Sequence, residues 1–139
     1  MNEIYLDASE QVMGRMASKV AKELLNGRNV YVINAEKSII TGNQKFIIKD
    51  YREKVDRGDP YHGPFYPKLP ERIFKRVVKG MLPKNARGTE SLKRLRVYSS
   101  RPDSFEGKEF KKLEEAKMKK KRSYMELGKL SKKLSERSG

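Results

Sequence analysis

The chain changes its hydrophobic period twice within "EIYLDASEQVMGRMASKVAKELLNGRNVYVINA", residues Glu3–Ala35. Apolar and polar residues alternate around Ile4 and Leu6, which predicts a first strand. From Met13 to Leu25 apolar residues recur every three or four positions, which predicts an amphipathic helix that "NG" at 26–27 ends. "NVYVINA" then predicts a strand covered on both faces. This order indicates a right-handed parallel crossover and an α/β fold.

A third strand and a second helix are predicted before a long loop. "SIITG", which ends at Gly42, has the composition of a short strand. The apolar positions of the helix that follows are Phe46, Ile47, Tyr51 and Val55. The loop "DRGDPYHGPFYPKLP", residues 56–70, contains glycines and prolines throughout and is longer than a simple connection requires.

Pro70 suits the first turn of a third helix, where its missing N–H costs nothing. The predicted buried stripe of this helix is Ile73, Phe74, Val77, Val78 and Met81. Pro83 ends it, because proline cannot continue a helix. A short helix from Thr89, as its N-cap, to about Leu95 is predicted to lead into a strand at "RVY".

The charge balance indicates a polyanionic partner. Among 139 residues, 33 are Lys or Arg and 18 are Asp or Glu, so the formal net charge is +15 and the pI about 10.0. Nucleic acid is the first candidate partner, since neutralised phosphates release counterions, and an anionic membrane surface is the second. A merely charged soluble protein is the third reading.

Enzyme chemistry has little support in the sequence. The absence of cysteine excludes disulfides and thiolate zinc sites, and it suits a reducing compartment. His62 is the single histidine and lies in the long loop, so neither a catalytic residue nor a metal site is predicted. With no signal peptide and no run of eighteen apolar residues, a soluble, intracellular protein that does not span a membrane is expected.

The predicted third helix has a basic face opposite its apolar stripe, formed by Arg72, Lys75, Arg76 and Lys79. A basic face can be an ordinary solvated surface. A solvated helix, however, usually intersperses acids to form pairs four residues apart. Only Glu90 is acidic between Arg72 and Arg101, which favours phosphate contact.

Three aromatic residues of the long loop, Tyr61, Phe65 and Tyr66, are candidates for stacking on unpaired bases. The alternative is that they close the core beneath the loop. "KMKKKR", residues 117–122, resembles a localisation signal or a membrane-surface patch, but neither accounts for the basic run in the middle of the chain.

Composition divides the chain into an α/β core domain, residues 1–106, and a Lys-rich, helical C-terminal extension, residues 107–139. The extension has a thin apolar stripe at Tyr124, Leu127, Leu130 and Leu134, with a helix-weakening Gly128. So little apolar surface predicts disorder when the extension is alone. The alternative is a final helix that folds back on the domain.

Two segments together resemble a known family, "NVYVINAEKSIITGNQ" and "RVVKGMLPKNARGTESLKRLRVY". They are similar to the large-subunit ribosomal protein thirteen family, the universal "L thirteen" proteins, and the likeness covers nearly everything from Asp7 to Tyr98. "GPFYPKLPERIF" and the tail "YMELGKLSKKL" look archaeal. The resemblance implies a three-layer α/β/α sandwich about a small, mainly parallel four-stranded sheet.

The resemblance also implies a function. Members are structural constituents of the large ribosomal subunit, held by large-subunit rRNA beside other ribosomal proteins, with no catalytic site, cofactor or small-molecule substrate. With the basic face of the third helix, the implied rRNA-binding residues are Arg72, Lys75, Arg76, Lys79, Gly80, Lys84, Arg87, Gly88, Lys93, Arg94 and Arg96.

Within "GMLP", Met81 and Leu82 are predicted to anchor the helix end in the core while Pro83 turns the chain. Gly80 and Gly88 are expected to let RNA approach the backbone closely. Two rivals stay open. The first is a nucleotide-using or RNA-modifying enzyme, which Gly14 and Glu36 mimic although only one of three required glycines is present. The second is a free RNA-binding regulator.

Overall fold

The computed structural model describes residues 3–56, 67–120 and 122–135. The strands are β1 Glu3–Asp7, β2 Asn29–Ile33, β3 Ile39–Thr41, β4 Leu95–Val97 and β5 Tyr124–Glu126. The helices are α1 Met13–Leu25, α2 Gln44–Asp56, α3 Pro70–Gly80, α4 Ala86–Leu92 and α5 Leu127–Ser135. Single 3-10 turns occur at Ala35–Lys37, Asp103–Phe105 and Glu114–Ala116.

The predicted parallel pairing of the strands on either side of α1 is confirmed. β1 and β4 both pair in parallel with β2, in the order β1-β2-β4, and the register aligns Tyr5, Tyr31 and Arg96 across the sheet. Gly27, with a φ of +87°, follows α1 in the left-handed conformation that "NG" predicts.

The parallel sheet has three strands in the described residues, whereas the resemblance implies four. β3 forms where "SIITG" predicts it, but it pairs antiparallel with β5 in a separate two-stranded sheet. At the free edge of β1, Leu6 makes one parallel bridge with Lys111. The Asp7 N–H donates to the Lys111 carbonyl at 2.9 Å, and the Lys111 N–H donates to the Tyr5 carbonyl at 3.1 Å.

The two faces of the three-stranded sheet differ. Both crossovers step in the same direction, so right-handed connections bring α1 and α3 to one face, and the two helices pack together there. The main hydrophobic core lies on this side and includes Val30, Val32 and Leu95. On the other face the rings of Tyr5 and Tyr31 stack 5.0 Å apart, with that of Phe105 edge-on. The mixed α/β class is confirmed, and the three-layer sandwich remains a prediction.

The described part of the extension packs into the same core, which is the alternative to disorder. Met125, Leu127, Leu130 and Leu134 are buried, while Tyr124 is 45% exposed and does not belong to the stripe. Gly128 also has a packing role, since a Cβ there would lie 3.0 Å from the Glu36 carbonyl oxygen. The division at 106/107 therefore remains a division by composition.

Buried Gln11 also ties the extension to the domain. Its side-chain carbonyl accepts from the Leu113 N–H at 2.8 Å, and its backbone carbonyl accepts from that of Ile39 at 2.8 Å. One residue thus joins the start of α1 to β3 and to the extension.

Two details of the α3–α4 segment, residues 70–94, correct the predictions. The N-cap of α4 is Asn85 rather than Thr89: its side chain accepts from the Gly88 N–H at 3.1 Å, and Thr89 lies within the helix. Met81 is 43% exposed and is not part of the core, whereas Leu82 is buried. The predicted stripe extends the helical period past Gly80, where α3 ends.

Candidate nucleic-acid interface

The basic face of α3 is set by helical geometry. Ile73, Phe74 and Val78 are buried, and Val77 is half-buried. The basic residues lie on the remaining surface: Arg72, Arg76 and Lys79 are exposed, and Lys75 is half-buried. The face predicted from the sequence is therefore present and accessible.

A cleft of about 560 Å³ opens between the end of α3 and α4. Its cationic lining comes from Arg76, Lys79 and Lys84. Its apolar lining comes from Leu82, Pro83 and Leu92, with Gly80, Gly88 and Thr89 completing the wall. None of the described residues that line this cleft is acidic, so its electrostatic potential favours an anion.

The two glycines of the cleft have different roles. Gly88 is buried, and a Cβ there would lie 1.8 Å from the Pro83 carbonyl oxygen, so this glycine permits internal packing. Gly88 thus has a packing reason to be glycine, and close approach of RNA to its backbone remains a prediction. A Cβ at Gly80 would meet no atom within 4 Å, and the residue is exposed, so Gly80 remains open to a ligand.

Two of the predicted RNA contacts cap α1. Half-buried Arg94 donates from Nη2 to the Leu24 carbonyl at 2.7 Å and to Ser91 Oγ at 3.2 Å. Arg87, which is exposed, donates from Nη2 to the Leu25 carbonyl at 3.3 Å. Cations at a helix C-terminus satisfy its free carbonyls and complement its dipole. The side chain of Arg94 therefore holds the α3–α4 segment against α1.

The remaining predicted residues lie away from the cleft lining. Lys93 pairs with Glu90, Nζ to Oε1 at 3.2 Å, and both side chains are exposed. Arg96 is exposed on β4 and donates to the Lys93 carbonyl at 2.9 Å. Because side chains alternate along a strand and Leu95 faces the core, Arg96 points to the opposite sheet face.

The structure brings together five residues of the predicted set: Arg76, Lys79, Gly80, Lys84 and Gly88. Sequence reasoning missed Leu92 and Thr89, which join the cleft only when α4 folds against α3. The one sequence feature that points to this cleft is the glycine at the end of the third helix, Gly80. Tyr61, Phe65 and Tyr66 lie outside the described residues, so stacking by them remains a prediction.

Other kinds of site find no support in the described parts of the chain. No group of three or more His, Cys, Asp or Glu residues within 3–56, 67–120 and 122–135 is placed to hold a metal ion. Over those same ranges, no helix combines the length and the apolar character that crossing a bilayer requires.

Comparison with known proteins identifies the family of the chain. A family model described as Ribosomal protein L13 matches residues 1–104. A protein of Archaeoglobus fulgidus named large ribosomal subunit protein uL13 is 50% identical over 112 residues, covering 80% of this chain and 72% of that protein.

Two further archaeal proteins of the same name align along nearly the full chain. The Picrophilus torridus protein is 45% identical over 134 residues, with coverage of 96% and 97%. The Methanosarcina barkeri protein is 42% identical over 136 residues, with coverage of 95% and 97%. The resemblance, including its archaeal type, is confirmed: the chain belongs to the ribosomal protein L13 family.

Proposed function

We propose that the protein is a structural constituent of the large ribosomal subunit that binds large-subunit rRNA and supports subunit assembly. The observation that carries the proposal is the cation-lined cleft of the α3–α4 segment, found in a chain of this family. Its relatives are named for the large subunit, so the protein acts in translation, on the cytoplasmic ribosome. The protein is not an enzyme.

The surface used for rRNA is the exposed basic face of α3 together with Lys84. Phosphate contacts there fix position without reading sequence. Arg87 and Lys93 can add contacts at the margin, although each also has an intramolecular partner. Arg94 acts indirectly, by orienting the α3–α4 segment.

The nucleotide-using enzyme is the weaker candidate. A ribose-binding acid must be open to a ligand, yet Glu36 is half-buried, with its backbone carbonyl against Gly128 and a carboxylate oxygen 3.4 Å from Ser99 Oγ. The position that mimics a dinucleotide site is thus used to dock the extension.

Salt dependence tests the proposal. On a duplex, each neutralised phosphate contributes roughly −0.9 to the slope of log affinity against log salt. Filter binding to large-subunit rRNA should therefore weaken steeply between low and moderate ionic strength, and the protein should co-sediment with large subunits. A salt-insensitive affinity, or a protein that stays in the soluble fraction and binds a dinucleotide, would overturn the proposal.

Two finer points belong with this proposal. Neighbouring large-subunit ribosomal proteins are expected partners, and the exposed Lys-rich parts of the extension are candidate contacts for them or for rRNA. The four-stranded sheet of a three-layer sandwich has support from the Leu6–Lys111 bridge at the free edge of β1. An experimental map of the assembled subunit tests both points.

A further inference from the structure

The end of α3 contains a glycine that the fold does not require. Gly80 lacks the positive φ that would demand glycine, and a side chain there would touch nothing within 4 Å. Glycine also weakens a helix relative to alanine. The space that a side chain would fill is part of the cleft between α3 and α4. The cleft beside Gly80 is therefore open to a ligand.

The lining of the cleft has two chemistries in one small volume. Leu82, Pro83 and Leu92 provide an apolar wall, and Arg76, Lys79 and Lys84 provide positive charge. A volume of about 560 Å³ falls in the range of small-ligand sites, roughly 300 to 1,000 Å³. An RNA duplex would meet the charges with its backbone but would leave the apolar wall uncovered. An unpaired nucleotide has a flat apolar base and a phosphate, and so it matches both parts.

The apolar wall is held in place before any ligand arrives. Leu82 is buried at 5% exposure, and the Pro83 carbonyl lies against Gly88 so closely that no side chain would fit between them. The Asn85 side chain caps α4 through the Gly88 N–H at 3.1 Å. A rigid wall binds a base with little ordering cost.

We infer that the cleft between α3 and α4 receives one unpaired nucleotide of the rRNA, with its base against the apolar wall and its phosphate among the three cations. The inference rests on the proposed function and specifies its mode of contact. Extruded bases are commonly held between apolar side chains in this manner. A segment of a neighbouring protein is the competing occupant, but three cations without an acid among the cleft's described lining residues favour a phosphate.

The test fills the cleft without removing a charge. Gly80→Leu places a side chain in the open space. Gly14→Leu is the matched control, because Gly14 is also helical and exposed, and a Cβ there would likewise meet no atom within 4 Å. Gly80→Ala is a smaller filling of the same space. Thermal unfolding establishes that the variants are folded.

The full-length proteins are footprinted on protein-free large-subunit rRNA. Hydroxyl radicals report the backbone, and base-specific alkylating reagents report unpaired bases. Wild type and Gly14→Leu should protect a backbone patch and at least one unpaired base. Gly80→Leu should keep the backbone patch, expose that base, and bind about tenfold to a hundredfold more weakly at an unchanged salt slope. Gly80→Ala should give a smaller loss.

Each other outcome has a definite meaning. Base protection that survives in Gly80→Leu overturns the inference and leaves the proposed function intact. Unchanged RNA binding by Gly80→Leu, combined with its exclusion from assembled subunits, overturns the inference by assigning the cleft to a neighbouring protein. A wild type without any backbone footprint overturns the proposed function itself.

Discussion

The α3–α4 segment and the extension are both basic and both have an apolar stripe, yet the first has an open cleft between its two helices, whereas the second packs its helix into the core. In the extension Leu127, Leu130 and Leu134 close the core. In the α3–α4 segment Ile73, Phe74 and Val78 are buried as well, but an open cleft remains between the two helices. Two glycines mark the difference: Gly128 lies against a backbone carbonyl, and Gly80 faces empty space. What lies opposite a residue, rather than the local composition, decides whether a basic segment serves packing or binding.

The largest expected effect is the difference in stability cost between a charge placed in the extension and one placed at the end of α3. Leu130→Asp places an unpaired charge at a position with 0% exposure and should lower the free energy of unfolding by several kcal/mol. Met81→Asp, at 43% exposure, should change it by less than about 1 kcal/mol. Urea unfolding followed by circular dichroism measures both. Similar losses of stability in the two variants would contradict the difference in burial between Leu130 and Met81.

The second effect divides the basic residues of the α3–α4 segment by role. Arg94→Ala removes the hydrogen bond to the Leu24 carbonyl and should cost about 1 to 2 kcal/mol of stability, with an unchanged salt slope for RNA binding. Lys84→Ala should leave stability unchanged and make the slope shallower by roughly 0.9. Thermal unfolding measures the stability of both variants, and filter binding at several salt concentrations measures their salt slopes. A reversed pattern would make Arg94 the RNA contact.

A third prediction compares the two glycines directly. Gly128→Ala should lower stability by about 1 kcal/mol, because the new Cβ would be pressed to 3.0 Å from the Glu36 carbonyl oxygen and the backbone there cannot yield easily. Gly80→Ala should raise stability by about 0.4 to 1 kcal/mol, since nothing opposes the methyl group. Paired melting curves measure the difference. If Gly128→Ala is the more stable protein, the extension docks less closely than described.

The smallest effect is acid sensitivity where the extension meets β1. Burial alone would raise the pKa of Asp7, but hydrogen bonds from the Ser9 N–H at 2.9 Å and Asn34 Nδ2 at 3.1 Å, with the charge of Lys112, hold that pKa below its ordinary value. A lowered pKa in the folded state means that this stabilisation is complete above about pH 4 and declines at more acid pH.

Asp7→Asn should therefore flatten part of the fall in stability below about pH 4, measured by urea unfolding across a pH series. Lys112→Ala, in the extension, should produce a weaker change in the same direction. A variant Asp7→Asn with the full wild-type acid dependence would exclude Asp7 as its source.

Local patterns allowed the first crossover to be predicted from the sequence. Strand alternation, helical spacing and "NG" are each satisfied by neighbours in the chain, so β1, α1 and β2 appear where expected. The same holds for the basic face of α3. By contrast, both Asn85 and Thr89 are acceptable N-caps, and the choice between them follows from the packing of Gly88 on Pro83.

The remaining errors concern contacts between distant residues. Met81 lies one residue beyond the end of α3 at Gly80, where the helical period no longer predicts which side chains face the core. The extension lacks enough apolar residues for its own core, and its partners, β3 and the turn at Ala35–Lys37, are remote in sequence. The cleft exists only between two packed helices. No local pattern reports such pairs.

The pairing of β3 with β5 has a consequence for how the chain is made. Synthesis runs from the N-terminus, and early segments of a chain can fold while later ones are still absent. Here β1, α1 and β2 can form early, but β3 lacks its strand partner until residues 124–126 have been added. An unpaired strand edge invites association with other chains. The edge of β3 therefore stays unpaired until β5 has been synthesised. Chaperone protection or immediate capture by RNA would matter most during that interval.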